Sequence, residues 1–429
     1  MKREKPIFAT MLGNILEYYD VTLYGFFAAF LAPLFFPSSD PSVSRIAALF
    51  ALAAGFLMRP VGGVLFGYLG DRFGRRKALM LSIFLVTIPT FTMGSLPTYE
   101  HIGIVAPVII VICRLLQGLC TSGEYSGASI LLAEYSEKGK KGFACSLLPS
   151  SSLCGAVLGT SLGVLCTLPV MPEWAWRIPF LLGGIFGLIG FYLRRKITES
   201  PDFQKALQQN KLVKIPLLEI LKRYKRNFFC SMGIGSSMLV LFYMNTVHIS
   251  DLMLKANLGI TPSHLMMINT WMMISLITLF PLMGYLSDKF GVVHFMKISS
   301  LCTIVVAFPL FWLITYEPSF TNFILAQLTF NVCAAGFVGP SGAFLAELFP
   351  IEERYSGVAV GSSVGEAVFG GTTPLAATML VLWSNSEIAP AFYLMFCSGL
   401  GLLALTMADV PQSKLKFFKF VKQKFIPVN

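Results

Sequence analysis

The sequence predicts an all-α membrane protein with twelve transmembrane helices in two six-helix bundles. Hydrophobic residues make up 55% of the 429 residues, and the mean hydropathy is +0.71. A helix needs roughly 20 consecutive apolar residues to cross a bilayer, and the chain contains many runs of that length. A short motif that begins at Gly67 also recurs 217 positions later at Gly284, which indicates two related bundles.

The remaining composition argues against secreted, metal-binding and nucleic-acid-binding classes. The N-terminus resembles a signal peptide, but its apolar run includes Glu17 and Asp20 and lacks a cleavage pattern, so we expect a retained first helix. The nine cysteines have no CxxC spacing, which predicts neither a disulfide framework nor a metal site. The net charge of +11 lies at the ends of apolar segments and indicates membrane orientation rather than nucleic-acid binding. We expect no cofactor.

Apolar stretches between charged or Pro/Gly-rich segments predict the individual helices. An even number of spans places both termini on one side of the membrane, and the loops on that side hold most of the 33 Lys and Arg residues. The positive-inside rule therefore predicts that both termini are cytoplasmic. The predicted spans are 8–36, 43–70, 78–97, 104–134, 142–168, 177–193, 227–256, 262–287, 294–315, 319–348, 355–383 and 386–409.

These spans form an N-terminal six-helix bundle, residues 1–193, and a C-terminal six-helix bundle, residues 227–409. Residues 194–226 are predicted to be a cytoplasmic linker, whose apolar residues at helical spacing indicate a short amphipathic helix. Its many basic residues favour contact with anionic lipid headgroups. Residues 410–429 are predicted to be a short basic cytoplasmic tail.

The duplication extends beyond the first motif. Two triplets in the fourth span, Ser-Gly-Ala from Ser126 and Leu-Ala-Glu from Leu132, recur in the tenth span from Ser341 and Leu345. Because six spans separate the copies, both halves have the same topology. Parallel repeats of this kind are typical of alternating-access transporters.

The segment from Gly67 to Arg76 reads Gly-x-Leu-x-Asp-Arg-x-Gly-Arg-Arg. It resembles the loop signature of the major facilitator superfamily, which implies the major facilitator fold and a cytoplasmic latch that holds the outward-facing state. In the second copy Val292 and Val293 replace the basic pair, so we expect a weaker latch there. The implied latch residues are Gly67, Asp71, Arg72, Gly74, Arg75 and Glu134, with Asp288 and Glu347 in the second copy.

Three further stretches resemble the metabolite:proton symporter branch of that superfamily. They run from Gly13 to Asp20, from Arg59 to Gly63 and from Arg114 to Tyr125. The branch includes proline/betaine, 2-oxoglutarate, citrate and shikimate permeases. The resemblance therefore implies a multi-pass protein of a bacterial inner membrane.

Ionisable side chains within the spans mark the candidate site, because a charge at the centre of a membrane helix costs roughly 2.5–3.5 kcal/mol. Glu17 and Asp20 lie on one face of the first helix. Two adjacent acids cannot both ionise cheaply, so we predict that Asp20 is the proton site and that Glu17 or Glu124 shares its role. By depth, Arg59 is the expected cation beside Asp20. A purely structural pair of Asp20 and Arg59 is the alternative.

The central acids outnumber the central arginines by two, which suits a solute with an ammonium or guanidinium group. Its carboxylate would meet an arginine, and aromatic rings would stabilise its cationic group. The residues predicted to bind substrate are Glu17, Tyr24, Arg59, Arg114, Glu124, Tyr243, Asn245, Trp271, Asn331 and Glu366.

Together these features predict a secondary active transporter that carries a small polar metabolite with a proton by alternating access. The favoured substrate is an amino acid, including a cationic one, or a betaine, and a mono- or dicarboxylate is the alternative. The sequence has no phosphate-binding loop or HExxH pattern, so an enzyme or a passive channel is a weaker alternative. We expect a monomer in the lipid bilayer whose partners are a small-molecule substrate and a proton, without nucleic acid.

Overall fold

The computed structural model describes residues 4–137, 139–168, 170–209, 211, 213, 215–256 and 258–409. Within these residues the regular structure is helical. Eleven helical segments are long and apolar enough to cross a membrane, and the first helix adds a further 32-residue segment. The predicted basic tail, residues 410–429, lies outside the described residues, as do Leu212 and Lys214 of the linker.

The N-terminal half contains seven α-helices and one turn of 3₁₀-helix at Glu173–Trp176. The α-helices are α1 (Glu4–Phe35), α2 (Pro41–Phe73), α3 (Arg75–Ser95), the short α4 (Tyr99–Ile102), α5 (Val105–Tyr135), α6 (Lys141–Cys166) and α7 (Arg177–Arg195).

The linker region contains two short helices, α8 (Pro201–Gln208) and α9 (Pro216–Arg223), where the sequence predicted one. The C-terminal half follows, with π-helical turns at Met244–His248 and Glu366–Gly370. Its α-helices are α10 (Lys225–Tyr243), α11 (Ile249–Lys255), α12 (Pro262–Phe290), α13 (Val292–Tyr316), α14 (Phe320–Leu348), α15 (Arg354–Gly365), α16 (Thr373–Ser384) and α17 (Ala389–Met407).

The boundary of the predicted linker needs one correction. Helix α7 continues to Arg195, so Arg194 belongs to a membrane helix and its side chain is buried. The sequence assigned Arg194 to the linker because a charged residue normally ends an apolar span. Here a buried partner, described below, allows the helix to continue.

Both copies of the repeated motif end in the same backbone turn. Gly74 has φ 108° between α2 and α3, and Gly291 has φ 92° between α12 and α13. Side chains with a Cβ atom disfavour these values, so glycine is needed to end each helix and begin the next within one residue. The duplication is therefore present in the backbone as well as in the sequence.

The chain divides into two compact units. Unit 1 contains Met1–Tyr135, Ser151–Leu217 and Ile351–Val360, and unit 2 contains Ser136–Ser150, Leu218–Pro350 and Gly361–Asn429. Each unit thus includes a short segment from the other half of the sequence. These segments are the first turns of α15 in unit 1 and the first turns of α6 in unit 2.

Helices α2 and α5 of unit 1 pack with their backbones in direct contact. A Cβ atom on Gly118 would overlap the backbone of Gly55, and one on Gly62 would overlap the backbone of Leu119. Small residues at such crossings let membrane helices gain close van der Waals contact. This crossing fixes the positions of the polar residues on α5.

We predict that Gly118→Ala destabilises the protein, whereas Gly25→Ala does not. Nothing lies within 4 Å of a Cβ atom on Gly25, which makes that substitution a matched control. Overpacking of a tight contact costs about 1–3 kcal/mol. Thermal unfolding of the two purified variants in detergent measures the difference, and equal melting temperatures would contradict the packing described here.

Candidate functional site

The predicted proton site, Asp20, lies in a buried network of unit 1. Its Oδ2 atom accepts hydrogen bonds from Thr90 Oγ1 of α3 and from Gln117 Nε2 of α5, the latter at 2.9 Å. Its Oδ1 atom is buried and has no hydrogen-bond partner among the described residues. Neutral groups therefore provide both of its hydrogen bonds.

Gln117 also connects Asp20 to a cation. Arg114 Nη1 donates to Gln117 Oε1 at 2.7 Å, and the guanidinium lies 4.5 Å from the centroid of the Tyr24 ring. The structure thus brings Asp20, Arg114 and Tyr24 together. Gln117 was missed by the sequence analysis, although its position three residues after Arg114 places both on one face of α5.

Arg59, the cation expected beside Asp20, has a different contact. Its guanidinium lies 4.3 Å from the centroid of the Phe56 ring, and it makes no hydrogen bond to Asp20. Depth along the membrane normal correctly places two residues at one level only when they also face each other around their helix axes. That rotation favours Arg114 as the partner of Asp20.

Glu17 lies one helical turn before Asp20 and is equally buried. Neither of its carboxylate oxygens has a hydrogen-bond partner among the described residues. Asn14, on the preceding turn, donates to Ser151 and Ser152 of α6 at 2.8 Å. An isolated ionised carboxylate is costly in such a place, so Glu17 needs either a proton or a cationic group of a ligand.

Glu124 is fully engaged in an ion pair that the sequence analysis missed. Both of its oxygens accept from the Arg194 guanidinium, and Ser82 Oγ donates to Glu124 Oε2 at 2.6 Å. Arg194 also donates to the backbone oxygen of Leu79 at 2.9 Å. The pair leaves Glu124 poorly suited to share the role of Asp20, since a bidentate guanidinium favours the ionised carboxylate.

The first latch sits at the end of α2. The Asp71 carboxylate accepts from the backbone N–H groups of Tyr355 at 3.0 Å and Ser356 at 2.8 Å. These N–H groups are unsatisfied donors of the first turn of α15, and the helix dipole favours a negative charge there. Gly67 lies against Ser356 and has no room for a side chain.

Charged side chains surround this contact. Arg75 lies 3.5 Å from Asp71 and 3.6 Å from Glu134, and Arg354 donates to Glu134 at 2.8 Å. Arg72, by contrast, is exposed and donates to Tyr68 at 2.8 Å. The structure therefore brings Asp71, Arg75 and Glu134 together but not Arg72.

Glu199 is a further latch residue that the sequence analysis missed. It accepts from the backbone N–H groups of Arg75 at 3.1 Å and Arg76 at 3.2 Å, which begin α3 after Gly74. Burial raises the pKa of the Glu199 carboxyl, while these hydrogen bonds oppose that shift. No local sequence signal pairs residues 124 positions apart.

The second latch, in unit 2, repeats the backbone contact. The Asp288 carboxylate accepts from the N–H groups of Gly142 at 2.7 Å and Phe143 at 2.9 Å, at the start of α6. Lys141 and Glu347 form an ion pair at 3.2 Å, with side chains 34% and 23% exposed. Pairs in contact with solvent contribute little, in contrast to the buried charges of the first latch.

The polar residues of unit 2 form a separate network. Asn245, in the first π-helical turn, donates to Asn331 at 2.6 Å, and Asn331 donates to Ser275 at 2.8 Å. Glu366 begins the second π-helical turn. Such turns are frequent at functional sites.

The two aromatic residues predicted to join that network lie apart from it in different ways. Trp271 is 65% exposed, and the ring of Tyr243 packs edge-on against Phe242 at 5.6 Å between centroids. Neither residue has a described contact with Asn245 or Asn331. Their predicted contact with substrate stays a prediction.

Comparison with known proteins places these features in context. Residues 6–214 match the family model described as "Sugar (and other) transporter", and residues 228–428 match the model described as "Major Facilitator Superfamily". The proline/betaine transporter of Escherichia coli (strain K12) is 37% identical, over 97% of this chain and 85% of that protein. The glycine betaine/proline/ectoine/pipecolic acid transporter OusA of Dickeya dadantii (strain 3937) is also 37% identical, over 96% and 84%.

Solved structures show the same fold at low identity. The proton:xylose symporter XylE, bound to 6-bromo-6-deoxy-D-glucose, matches with a TM-score of 0.76 at 18% identity, over 99% of this chain and 96% of that chain. The human organic anion transporter MFSD10 matches with a TM-score of 0.68 at 15% identity, over 95% and 99%. The predicted all-α membrane fold is thereby confirmed.

We predict that Arg194→Ala strongly destabilises the protein, because it leaves Glu124 as an uncompensated buried charge. Removal of one partner of a buried ion pair costs about 3–5 kcal/mol. Arg195→Ala, at the exposed neighbouring position, is the control and should change the melting temperature little. Addition of Glu124→Gln to Arg194→Ala should recover part of the loss, and a double variant no more stable than Arg194→Ala would contradict the pairing.

Proposed function

Because this chain belongs to the major facilitator superfamily, we propose that it is a secondary active transporter that carries a small zwitterion of the betaine or proline kind together with a proton. The observation that carries this proposal is the near full-length similarity to proline/betaine transporters. The buried charges of unit 1 agree with it.

The charge balance of unit 1 favours a zwitterion over a cationic amino acid. The sequence analysis counted an excess of acids because it left out Arg194. With the Glu124–Arg194 pair included, the buried carboxylates Glu17, Asp20 and Glu124 face the buried guanidinium groups of Arg59, Arg114 and Arg194. A set that is balanced overall suits a solute whose own charges cancel.

Two residues of this set have the chemistry to hold the two ends of a zwitterion. Glu17, without a hydrogen-bond partner, offers its charge to an ammonium group, and the half-buried Tyr18 and Tyr125 on α1 and α5, with ring centroids 6.3 Å apart, offer aromatic faces. Aromatic faces attract quaternary ammonium groups. Arg114 offers a guanidinium for the carboxylate.

Asp20 is the proposed proton site. Neutral donors and a neutral bridge to Arg114 hold its carboxyl group, so protonation does not break a direct ion pair. Its unpartnered Oδ1 atom is the position that would take the proton. We further propose cytoplasmic termini, an inner-membrane location, an active monomer and transport without enzymatic chemistry.

We predict that Asp20→Asn abolishes accumulation driven by a pH gradient but preserves counterflow of labelled glycine betaine. The amide retains the shape of the carboxyl group but cannot take up and release the coupling proton. Purified protein in proteoliposomes provides both measurements, with Asp40→Asn in the exposed loop after α1 as the control. Gradient-driven accumulation by Asp20→Asn at the wild-type level would exclude Asp20 as the proton site.

The substrate class can be tested separately by ligand stabilisation. Glycine betaine and proline should raise the melting temperature, because a ligand at 100 times its Kd stabilises the folded state by about 2.7 kcal/mol. Lysine, arginine, 2-oxoglutarate and shikimate at the same concentration should have little effect. Stabilisation by the carboxylates alone would instead support the dicarboxylate alternative.

A further inference from the structure

The first turn of α15 carries one large side chain that enters unit 1. Tyr355 is fully buried, and its hydroxyl donates to the backbone oxygen of Gly123 at 2.6 Å. Its backbone N–H is bound to Asp71. The side chain therefore extends inward from the first latch to the level of Glu124.

The slot that holds the Tyr355 ring is shaped by glycines. A Cβ atom on Gly70 would overlap the ring, and one on Gly127 would overlap the phenolic oxygen. Phe66 closes the slot behind Gly123. The slot thus occupies the space between helices α2 and α5, and only the Tyr355 ring fills it.

The second latch has the opposite distribution of large and small residues. In the repeat, Ser287 stands where the first copy has Gly70. Gly142, which binds Asp288 as Tyr355 binds Asp71, has no side chain and lies against Ser287. The shared backbone contact is therefore complete without an aromatic ring, which indicates that Tyr355 has a role beyond holding Asp71.

The Glu124–Arg194 ion pair lies directly beyond the end of the ring. Glu124 follows Gly123, whose backbone oxygen receives the Tyr355 hydroxyl. Leu79, whose backbone oxygen receives Arg194, also borders the slot at Gly127. An empty slot would therefore connect the latch end of unit 1 with a buried ion pair.

We propose that Tyr355 is a positioning residue that seals this slot, and that its withdrawal during transport opens the approach from the first latch to Glu124 and Arg194. The role of withdrawal in transport rests on the proposed function. The seal itself is a property of the folded protein and can be measured without substrate. Failure of the seal and failure of the transport proposal are thus distinguishable.

Two native cysteines on α5 report on the seal. Cys120 is buried one turn before Glu124 and packs with Phe66, which borders the slot. Cys113 is also buried but lies seven residues farther along α5, in the separate core around Phe27 and Phe180. Reaction of each thiol with a charged methanethiosulfonate reagent can be followed by peptide mass spectrometry on the purified full chain.

In Tyr355→Ala the labelling of Cys120 should accelerate at least about tenfold, because loss of a buried aromatic ring shifts a local equilibrium by more than one power of ten. Labelling of Cys113 should stay at the wild-type rate. Tyr355→Phe keeps the ring and loses one hydrogen bond, so its effect should be no more than roughly fivefold. Tyr192→Ala, at an exposed position of α7, is the control.

Gly70→Ser, which places an atom where the ring lies, should accelerate Cys120 labelling in the same way and decides the question if Tyr355→Ala does not fold. Unchanged Cys120 labelling in the folded variants would overturn the proposal. Equal acceleration at Cys120 and Cys113 would also overturn it, because that result indicates general loosening of unit 1. Counterflow of glycine betaine tests the transport proposal independently.

Discussion

The cost of placing a charge among apolar helices governs the interior of unit 1. Each buried guanidinium and carboxylate needs a partner, and the partners come from different helices: Glu124 of α5 binds Arg194 of α7, and Asp20 of α1 reaches Arg114 of α5 through Gln117. These contacts therefore fix the arrangement of α1, α5 and α7. Glu17 is the exception, since no described residue satisfies its carboxylate.

The two latches show how one backbone contact supports two different side-chain environments. In both, a carboxylate at the end of one helix accepts from the first N–H groups of another. The first adds buried charges around Arg75 and Glu134, whereas the second has one partly exposed ion pair. Because the free energy of an ion pair depends on its desolvation, the two contacts differ in strength although their geometry is shared.

The sequence predicted the fold class from hydropathy and duplication, because span length and repeats are local properties. It also identified Asp71, Arg75 and Glu134, which the structure brings together, from a contiguous motif. It did not identify Arg114 as the partner of Asp20, because depth estimates omit rotation about the helix axis. Arg194 and Glu199 were missed because their partners lie more than 60 residues away and only the folded chain brings them together.

The amide of Gln117 links the protonation of Asp20 to the bonding of Arg114. In the structure its nitrogen donates to Asp20 and its oxygen accepts from Arg114. Once Asp20 carries a proton it becomes a hydrogen-bond donor, and the acceptor on the adjacent side chain is the same amide oxygen that Arg114 occupies. A protonated acid and a guanidinium then compete for one atom. Addition of a single proton in this way loosens an arginine that a carboxylate arriving from outside can bind, without any movement of the helices.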